Sequence, residues 1–273
     1  MNLDKILKWN LNNNSMRWIV LIFVSLIMAV NYYVYDAMSS IKDVMQKELG
    51  ISSVDYGLIV SFYSFPNTFL LMSIFGGIIL DRWGIRKTGF LFITLCSLGS
   101  LLTAYGASSI FRNSIFYGFF SSFMSNFSPE LKIMILGRLL FGLGAETSIV
   151  VINKIMVKWF NGKELSFAFA VNIAIARIGT ALALICSPLL INTSYGWGLS
   201  LWIAAILMTM GLLFFILYIM IENNMEKGII SEKTLTNEED EFHFKDVLKL
   251  LTNRAFIYIT LLCVIFYSAV FPF

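Results

Sequence analysis

Residues that support metal, redox or hydrolytic chemistry are scarce in this chain. It has one histidine, His243, and three cysteines, Cys96, Cys186 and Cys263, among 273 residues. The cysteine spacing matches no zinc site or disulfide framework, and all three lie in apolar runs, where cysteine acts as a small apolar side chain. No nucleophile–base pair or phosphate-binding loop accompanies them. We therefore expect no enzymatic activity, no cofactor and no metal.

Charge is also scarce, and apolar residues take its place. Charged residues make up 14% of the chain and hydrophobic residues 58%, with a mean hydropathy of +0.78. A soluble domain of this length could not bury so much apolar surface. The net charge of +3 is small, and no nucleic-acid partner is expected. The expected partner is a lipid bilayer.

The apolar residues fall into runs that are long enough to cross it. A transmembrane helix needs about 20 apolar residues. Six runs meet this length, at 17–38, 56–80, 88–107, 133–158, 165–191 and 199–221, and a seventh begins near 255 and reaches 273. They predict an all-α transmembrane protein with a six-helix bundle and the start of a seventh span. This is the pattern of the first half of a twelve-span transporter, truncated soon after its second half begins.

Basic residues indicate how the chain is oriented in the membrane. Lys and Arg gather before the first run and in the connections after the second and fourth runs. By the positive-inside rule these segments, and the N-terminus, are cytoplasmic. We predict four sections: a cytoplasmic segment (1–16), the six-span bundle (17–221), a cytoplasmic linker with an amphipathic helix (222–254) and the first span of an incomplete second half (255–273).

Two charged residues interrupt apolar runs near their midpoints: Glu146 in the fourth run and Arg177 in the fifth. A charge at mid-membrane costs roughly 2.5–3.5 kcal/mol on insertion scales and by default marks a functional site. Each lies about 20 Å along its helix, at 1.5 Å per residue. We therefore predict that both lie near the midplane, where transporters bind substrate. An acidic and a basic group at one depth can hold the two ends of a zwitterion such as a dipeptide.

Other polar residues could line the same cavity. Arg138 and Asn153 share a helical face with Glu146. Tyr63 and Asn67 are four residues apart in the second run, beside Pro66, and Tyr32 and Tyr35 lie in the outer half of the first run. The predicted substrate-binding set is Glu146, Arg177, Arg138, Asn153, Tyr63, Asn67, Tyr32 and Tyr35.

The connection between the second and third runs has the spacing GxxxDRxGxRK. Its residues are Gly77, Asp81, Arg82, Gly84, Arg86 and Lys87. Gly77 would permit close helix approach, Gly84 a tight turn, and Asp81 a cap or an ion pair. This spacing resembles the signature loop of the major facilitator superfamily, and Arg138, Gly142 and Gly144 resemble its second signature. The resemblance implies that the loop controls conformational gating.

Further motifs narrow the resemblance within that superfamily. Residues 32–36, 63–67, 137–146, 159–165 and 176–179 are similar to a branch that transports dipeptides across lysosomal membranes. The resemblance implies that acidic and basic cavity residues bind the peptide termini, and Glu146 and Arg177 are the matching positions. It also implies alternating access in a plasma or lysosomal membrane, with an accessory membrane subunit as a further candidate partner.

Other interpretations of these residues remain open. Glu146 and Arg177 could form a structural ion pair that ties two helices together, or Glu146 could carry a proton. Arg177 and Arg138 could instead serve a transporter of organic anions. The chain could also be a non-transporting half or a membrane scaffold.

Overall fold

The computed structural model describes residues 14–124, 126–162, 164–191, 193, 196–229 and 252–270. All regular structure in these ranges is helical. A short 3₁₀ turn, Ser39–Ile41, lies between the first two helices. In chain order the helices are α1 (Asn14–Asp36), α2 (Lys42–Leu49), α3 (Ser53–Leu70), α4 (Met72–Gly106), α5 (Ser109–Arg112), α6 (Ile115–Ser121), α7 (Pro129–Phe160), α8 (Leu165–Ile191), α9 (Gly198–Ile229) and α10 (Arg254–Val270). The prediction of an all-α transmembrane chain is confirmed.

Five helical stretches of the described residues are long and apolar enough to cross a membrane: Ser15–Leu49, Met72–Gly106, Pro129–Phe160, Leu165–Ile191 and Gly198–Asn223. The predicted second run (56–80) covers α3 and the start of α4, and the predicted third run (88–107) lies almost wholly within α4. The runs and the helices therefore do not correspond one to one, and the count of six spans plus one stays a prediction. α10 belongs to a second compact unit that begins at Thr234. The predicted amphipathic helix of the linker and most of the predicted N-terminal segment lie outside the described residues.

The second predicted run is broken near its middle. Pro66 has no N–H to donate to the preceding turn, and the backbone leaves the helix at Leu71, which has a φ of 49°. The Leu71 N–H donates to the Pro66 carbonyl. α4 then begins with a cap, because the side-chain amide oxygen (Oδ1) of Asn67 accepts hydrogen bonds from the Ser73 backbone N–H (3.3 Å) and hydroxyl (2.7 Å). The break therefore lies five residues after Pro66.

A second break divides α4 within the signature loop. Gly84 has a φ of 78° and a ψ of 168° between helical neighbours. A positive φ is easily reached only by glycine, so the tight turn predicted at Gly84 is observed. The predicted boundary between the second and third runs falls at this turn.

α7 is the central helix of the bundle and packs closely on α3 and α4, whereas α8 packs mainly on α1. Glycines allow the α4–α7 contact: a Cβ on Gly137 would lie 2.6 Å from the Thr103 backbone nitrogen and 2.7 Å from the Gly99 carbonyl oxygen. Small residues at such crossings let helix backbones approach closely in membranes. Two contacts of this kind, described next, position the predicted charges.

Candidate functional site

Glu146 lies near the middle of α7 and is half-buried. The Tyr63 hydroxyl of α3 donates a hydrogen bond to its carboxylate at 3.3 Å. The Tyr63 ring lies 4.6 Å from the ring of Tyr35 and 5.6 Å from that of Phe141, measured between centroids. The acidic group therefore lies beside an aromatic cluster contributed by α1, α3 and α7.

Gly142 explains why Tyr63 reaches Glu146. It lies one turn before Glu146 on α7, and a Cβ added there would overlap the Tyr63 carbonyl oxygen. The missing side chain lets the α3 backbone rest directly on α7. This glycine of the second signature therefore places the Tyr63 hydroxyl next to the carboxylate.

Arg177 is exposed near the middle of α8. Its guanidinium carbon lies 5.2 Å from the ring centroid of Tyr32 on α1, which is a cation–π geometry. A Cβ on Gly179 would overlap the Ala29 carbonyl oxygen, so α8 contacts α1 closely just beside this pair. Among the residues that the structure describes, ion pairs join other groups, and none joins Arg177 to Glu146. The interpretation of Glu146 and Arg177 as a direct structural ion pair is therefore not supported.

Arg138 has a different environment from the one we expected. It is buried on α7, and its guanidinium donates to the Val34 and Tyr35 carbonyl oxygens, both at 3.3 Å, and to the Met38 sulfur at 2.8 Å. The two carbonyls lie in the last turn of α1, where helix carbonyls favour a cation, and Met38 lies two residues beyond the helix. Arg138 therefore ties α7 to the end of α1, rather than lying open in a cavity.

A small cavity of about 70 Å³ nevertheless borders this guanidinium. Tyr35, Asp36, Tyr56 and Tyr63 contribute to its lining. Asp36 also lies in the electrostatic field of Arg177 and Arg138. The cavity is therefore lined by three tyrosine rings together with one carboxylate and one guanidinium, and through Tyr63 it adjoins the hydrogen bond to Glu146.

The two predicted asparagines lie apart from this cluster. The Asn67 amide oxygen is used to cap α4, and Asn153 lies about 10 Å beyond Glu146 along α7, at 1.5 Å per residue. Ser73 was missed by the sequence analysis, and it joins Asn67 to the start of α4 beside Glu146. The only sequence signal for it was Pro66, because the break at Leu71 is what brings Ser73 back toward α7.

The signature loop forms two ion-pair groups with later helices. Asp81 pairs with Lys154 of α7 at 2.5 Å. Arg86 and Lys158 both pair with Glu222 of α9, at 2.9 and 2.6 Å, and the Tyr218 hydroxyl donates to the same carboxylate at 2.9 Å. Lys154 and Lys158 of α7 thus each bind a carboxylate of another helix.

The other residues of the signature loop make fewer of the contacts that we describe. Arg82 and Lys87 are exposed. The close approach predicted at Gly77 is wrong within the described residues, since a Cβ there would meet nothing within 4 Å. Its neighbour Gly76 makes the contact instead, against the side chain of Thr147, because one residue rotates the helix by about 100°.

We predict that Glu222→Gln destabilises the fold by about 1–2 kcal/mol, since one buried carboxylate receives two cations and a hydroxyl. Larger values are not expected, because Lys158 is 47% exposed and water screens its charge. Thermal unfolding in detergent would measure the change. The matched control is Glu164→Gln, which removes a 55%-exposed carboxylate paired with Arg17 and should cost less. Equal losses in the two variants would contradict a stabilising role for the buried group.

This arrangement of apolar helices, signature loop and mid-helix charges is that of a multi-pass membrane protein. The chain belongs to the Major Facilitator Superfamily, whose match covers residues 21–273. The predicted family and the predicted class of fold are both confirmed.

Curated relatives show which branches the chain is similar to. It is 27% identical over 271 residues to the "Lysosomal dipeptide transporter MFSD1" of Bos taurus and to that of Homo sapiens, in each case over 94% of this chain and 52% of the relative. It is 24% identical to the "Hexuronate transporter" of Bacillus subtilis (strain 168), over 87% of this chain and 51% of the relative. The chain spans about half the length of the curated relatives it matches.

Proposed function

We propose that this protein transports small zwitterions, most simply dipeptides, across a membrane by alternating access. The chain would supply the N-terminal half of the transporter. The observation that carries the proposal is that Glu146 and Arg177 are opposite charges near the middles of two helices and do not neutralise each other. Each is held by a tyrosine instead: Glu146 by Tyr63 at 3.3 Å and Arg177 by Tyr32 at 5.2 Å.

The proposed chemistry follows from the two charges. The substrate carboxylate would bind the Arg177 guanidinium, which is exposed and can donate two parallel hydrogen bonds. The substrate ammonium would bind the Glu146 carboxylate. Hydrogen bonds to charged groups are worth about 1.5–3 kcal/mol each. Because a zwitterion supplies both charges, it would satisfy both residues at once, and a singly charged solute would leave one unsatisfied.

The remaining predictions belong to the same proposal. The Asp81–Lys154 and Arg86–Glu222 pairs would hold the signature loop in one state of the gating cycle. The N-terminus would lie in the cytoplasm, and the membrane would be lysosomal or plasma membrane. The side chains of Tyr32, Tyr35 and Tyr63 would contact the substrate between its two charged ends. An accessory membrane subunit stays a candidate partner.

Transport of organic anions is the second candidate. Two observations favour it: the similarity to the hexuronate transporter of Bacillus subtilis, and the second arginine, Arg138, which borders the small cavity. Such a substrate would use Arg177 and Arg138 and would not need Glu146.

Competition for uptake would separate these candidates. The full-length protein, reconstituted in liposomes, should take up a labelled dipeptide, and unlabelled dipeptide should compete. Dipeptides blocked at either terminus by acetylation or amidation, and a hexuronate, should not compete. Equal competition by the blocked dipeptides would contradict the zwitterion clamp, competition by the hexuronate would favour the second candidate, and no uptake of any solute would favour a non-transporting role.

A further inference from the structure

The connection between α4 and α7 carries an exposed apolar surface. We call Ile115, Phe116 and Phe119 of α6 the apolar patch. Their exposed fractions are 94%, 62% and 64%. Phe123 just beyond the helix is also exposed. Large apolar side chains clustered on a surface mark a contact with a protein or a membrane.

The patch is held in a defined orientation by contacts on another side of α6. Tyr117 and Phe120 pack edge-on against Phe111, which is fully buried. Lys132 at the start of α7 donates to the Phe120 carbonyl at 2.6 Å. These contacts join α6 to the bundle and leave the patch pointing away from it.

Three sectors of α6 therefore have different surroundings. At about 100° per residue, the patch occupies roughly one 100° sector, the Tyr117 and Phe120 side faces the bundle, and Gly118 and Ser121 occupy the remaining side. The apolar patch is therefore the side of α6 that faces away from the bundle, where large exposed apolar side chains mark a contact surface.

The position of the connection between α4 and α7 also favours contact with the membrane interface. A groove of about 620 Å³ beside α5 is lined by Ala107 at the end of α4, Ile191 at the end of α8 and Gly198 at the start of α9. α5 therefore lies level with the ends of three helices that are long enough to span a membrane. α6 follows α5 after two residues, so the patch lies near the depth of the lipid headgroups.

The composition of the connection argues against a charged protein partner. Residues 107–128 contain one charged residue, Arg112, and it pairs with Glu130 of α7 at 3.2 Å. The rest is aromatic, aliphatic, serine, asparagine and glycine. Nothing here offers charge complementarity, whereas aromatic side chains among small polar ones suit the boundary between headgroups and acyl chains.

We infer that α6 is a membrane-surface anchor whose apolar patch inserts Ile115, Phe116 and Phe119 into the headgroup–acyl boundary of the bilayer. The anchor holds the connection between α4 and α7 against the lipid. It acts independently of which solute is transported.

Spin-label accessibility would test the anchor. The full-length protein, with Cys186, Cys263 and any other exposed cysteine replaced by alanine and the buried Cys96 kept, would carry Ile115→Cys or Phe119→Cys with a nitroxide label. Each variant would be placed, one chain per disc, in nanodiscs of phosphatidylcholine alone. We expect frequent collisions with oxygen and few with a water-soluble nickel chelate, giving an oxygen-to-nickel ratio severalfold above that of the control Ser121→Cys on the polar side of the same helix.

Two outcomes would overturn the inference. Nickel collisions at Ile115 and Phe119 as frequent as at Ser121 would place the patch in water. Low accessibility to both reagents would mean that protein covers it, either another part of this chain or a second copy. Using two labelled positions guards against one substitution disturbing the fold, which far-UV circular dichroism would check.

Discussion

Glu146→Gln is expected to lower dipeptide uptake by about 5- to 10-fold, because it replaces a charge-assisted bond to the substrate ammonium, worth about 1.5–3 kcal/mol, with a neutral one worth about 0.5–1.5 kcal/mol. Glutamine has nearly the same shape and can still accept the hydrogen bond from the Tyr63 hydroxyl. The aromatic cluster should therefore stay in place. Initial rates of labelled dipeptide uptake in proteoliposomes would measure the loss.

Three comparisons make this result specific. Glu164→Gln removes an exposed carboxylate at the start of α8 and should leave uptake within about twofold, as expected for a surface ion pair worth less than 1 kcal/mol. Tyr63→Phe keeps the charge and removes only the hydroxyl, so it should have a smaller effect than Glu146→Gln. Arg177→Gln should impair dipeptide uptake as strongly as Glu146→Gln.

Unchanged dipeptide uptake by Glu146→Gln would refute the clamp. If uptake of a hexuronate depended on Arg177 while Glu146→Gln had no effect on it, the binding site would be one for organic anions. Either result would leave the family and the fold untouched, since both rest on the match over residues 21–273.

Gly99→Ala is expected to destabilise the bundle by about 1–3 kcal/mol, the usual cost of overpacking. A Cβ at Gly99 would overlap the Phe141 backbone nitrogen and would lie 2.6 Å from the Gly137 carbonyl oxygen and 2.8 Å from the Phe141 Cα. Because these are backbone atoms of α7, no side chain can rotate out of the way. α4 and α7 would have to move apart along their whole contact. Thermal unfolding in detergent would record a fall of several degrees in Tm.

The matched control is Gly57→Ala in α3. A Cβ there would meet nothing within 4 Å, and alanine is favoured over glycine in a helix by up to about 1 kcal/mol. This variant should be neutral or slightly stabilising. If both variants lowered Tm equally, the close approach at Gly99 would not limit the stability of the bundle.

Much of this architecture could be predicted from the sequence because the signals are local. The length of an apolar run decides whether a helix can span a bilayer, and the predicted fifth run, 165–191, coincides with α8, Leu165–Ile191. Gly84 could be assigned to a tight turn because only glycine adopts a positive φ easily. The mid-helix positions of Glu146 and Arg177 likewise followed from counting residues.

Contacts between residues that are distant in sequence could not be predicted from these local signals. Helical spacing put Arg138 on the same face as Glu146, but its donors are used by the carbonyls at the end of α1, about a hundred residues away in sequence. Asn67 looked like a ligand for substrate, and the break at Leu71 makes it the cap of α4. Glu222 showed no sequence signal as the partner of both Arg86 and Lys158.

By itself the sequence determined the class of this protein, the helices available to cross the membrane and the two charges that lie near the middles of long apolar helices. These follow from hydrophobicity and spacing along one chain. Only the tertiary structure decided what each charge contacts: Glu146 a tyrosine of α3, Arg177 a tyrosine of α1, and neither the other. The reason is that glycines at helix crossings set the distances between helices, and those distances determine which polar groups can meet.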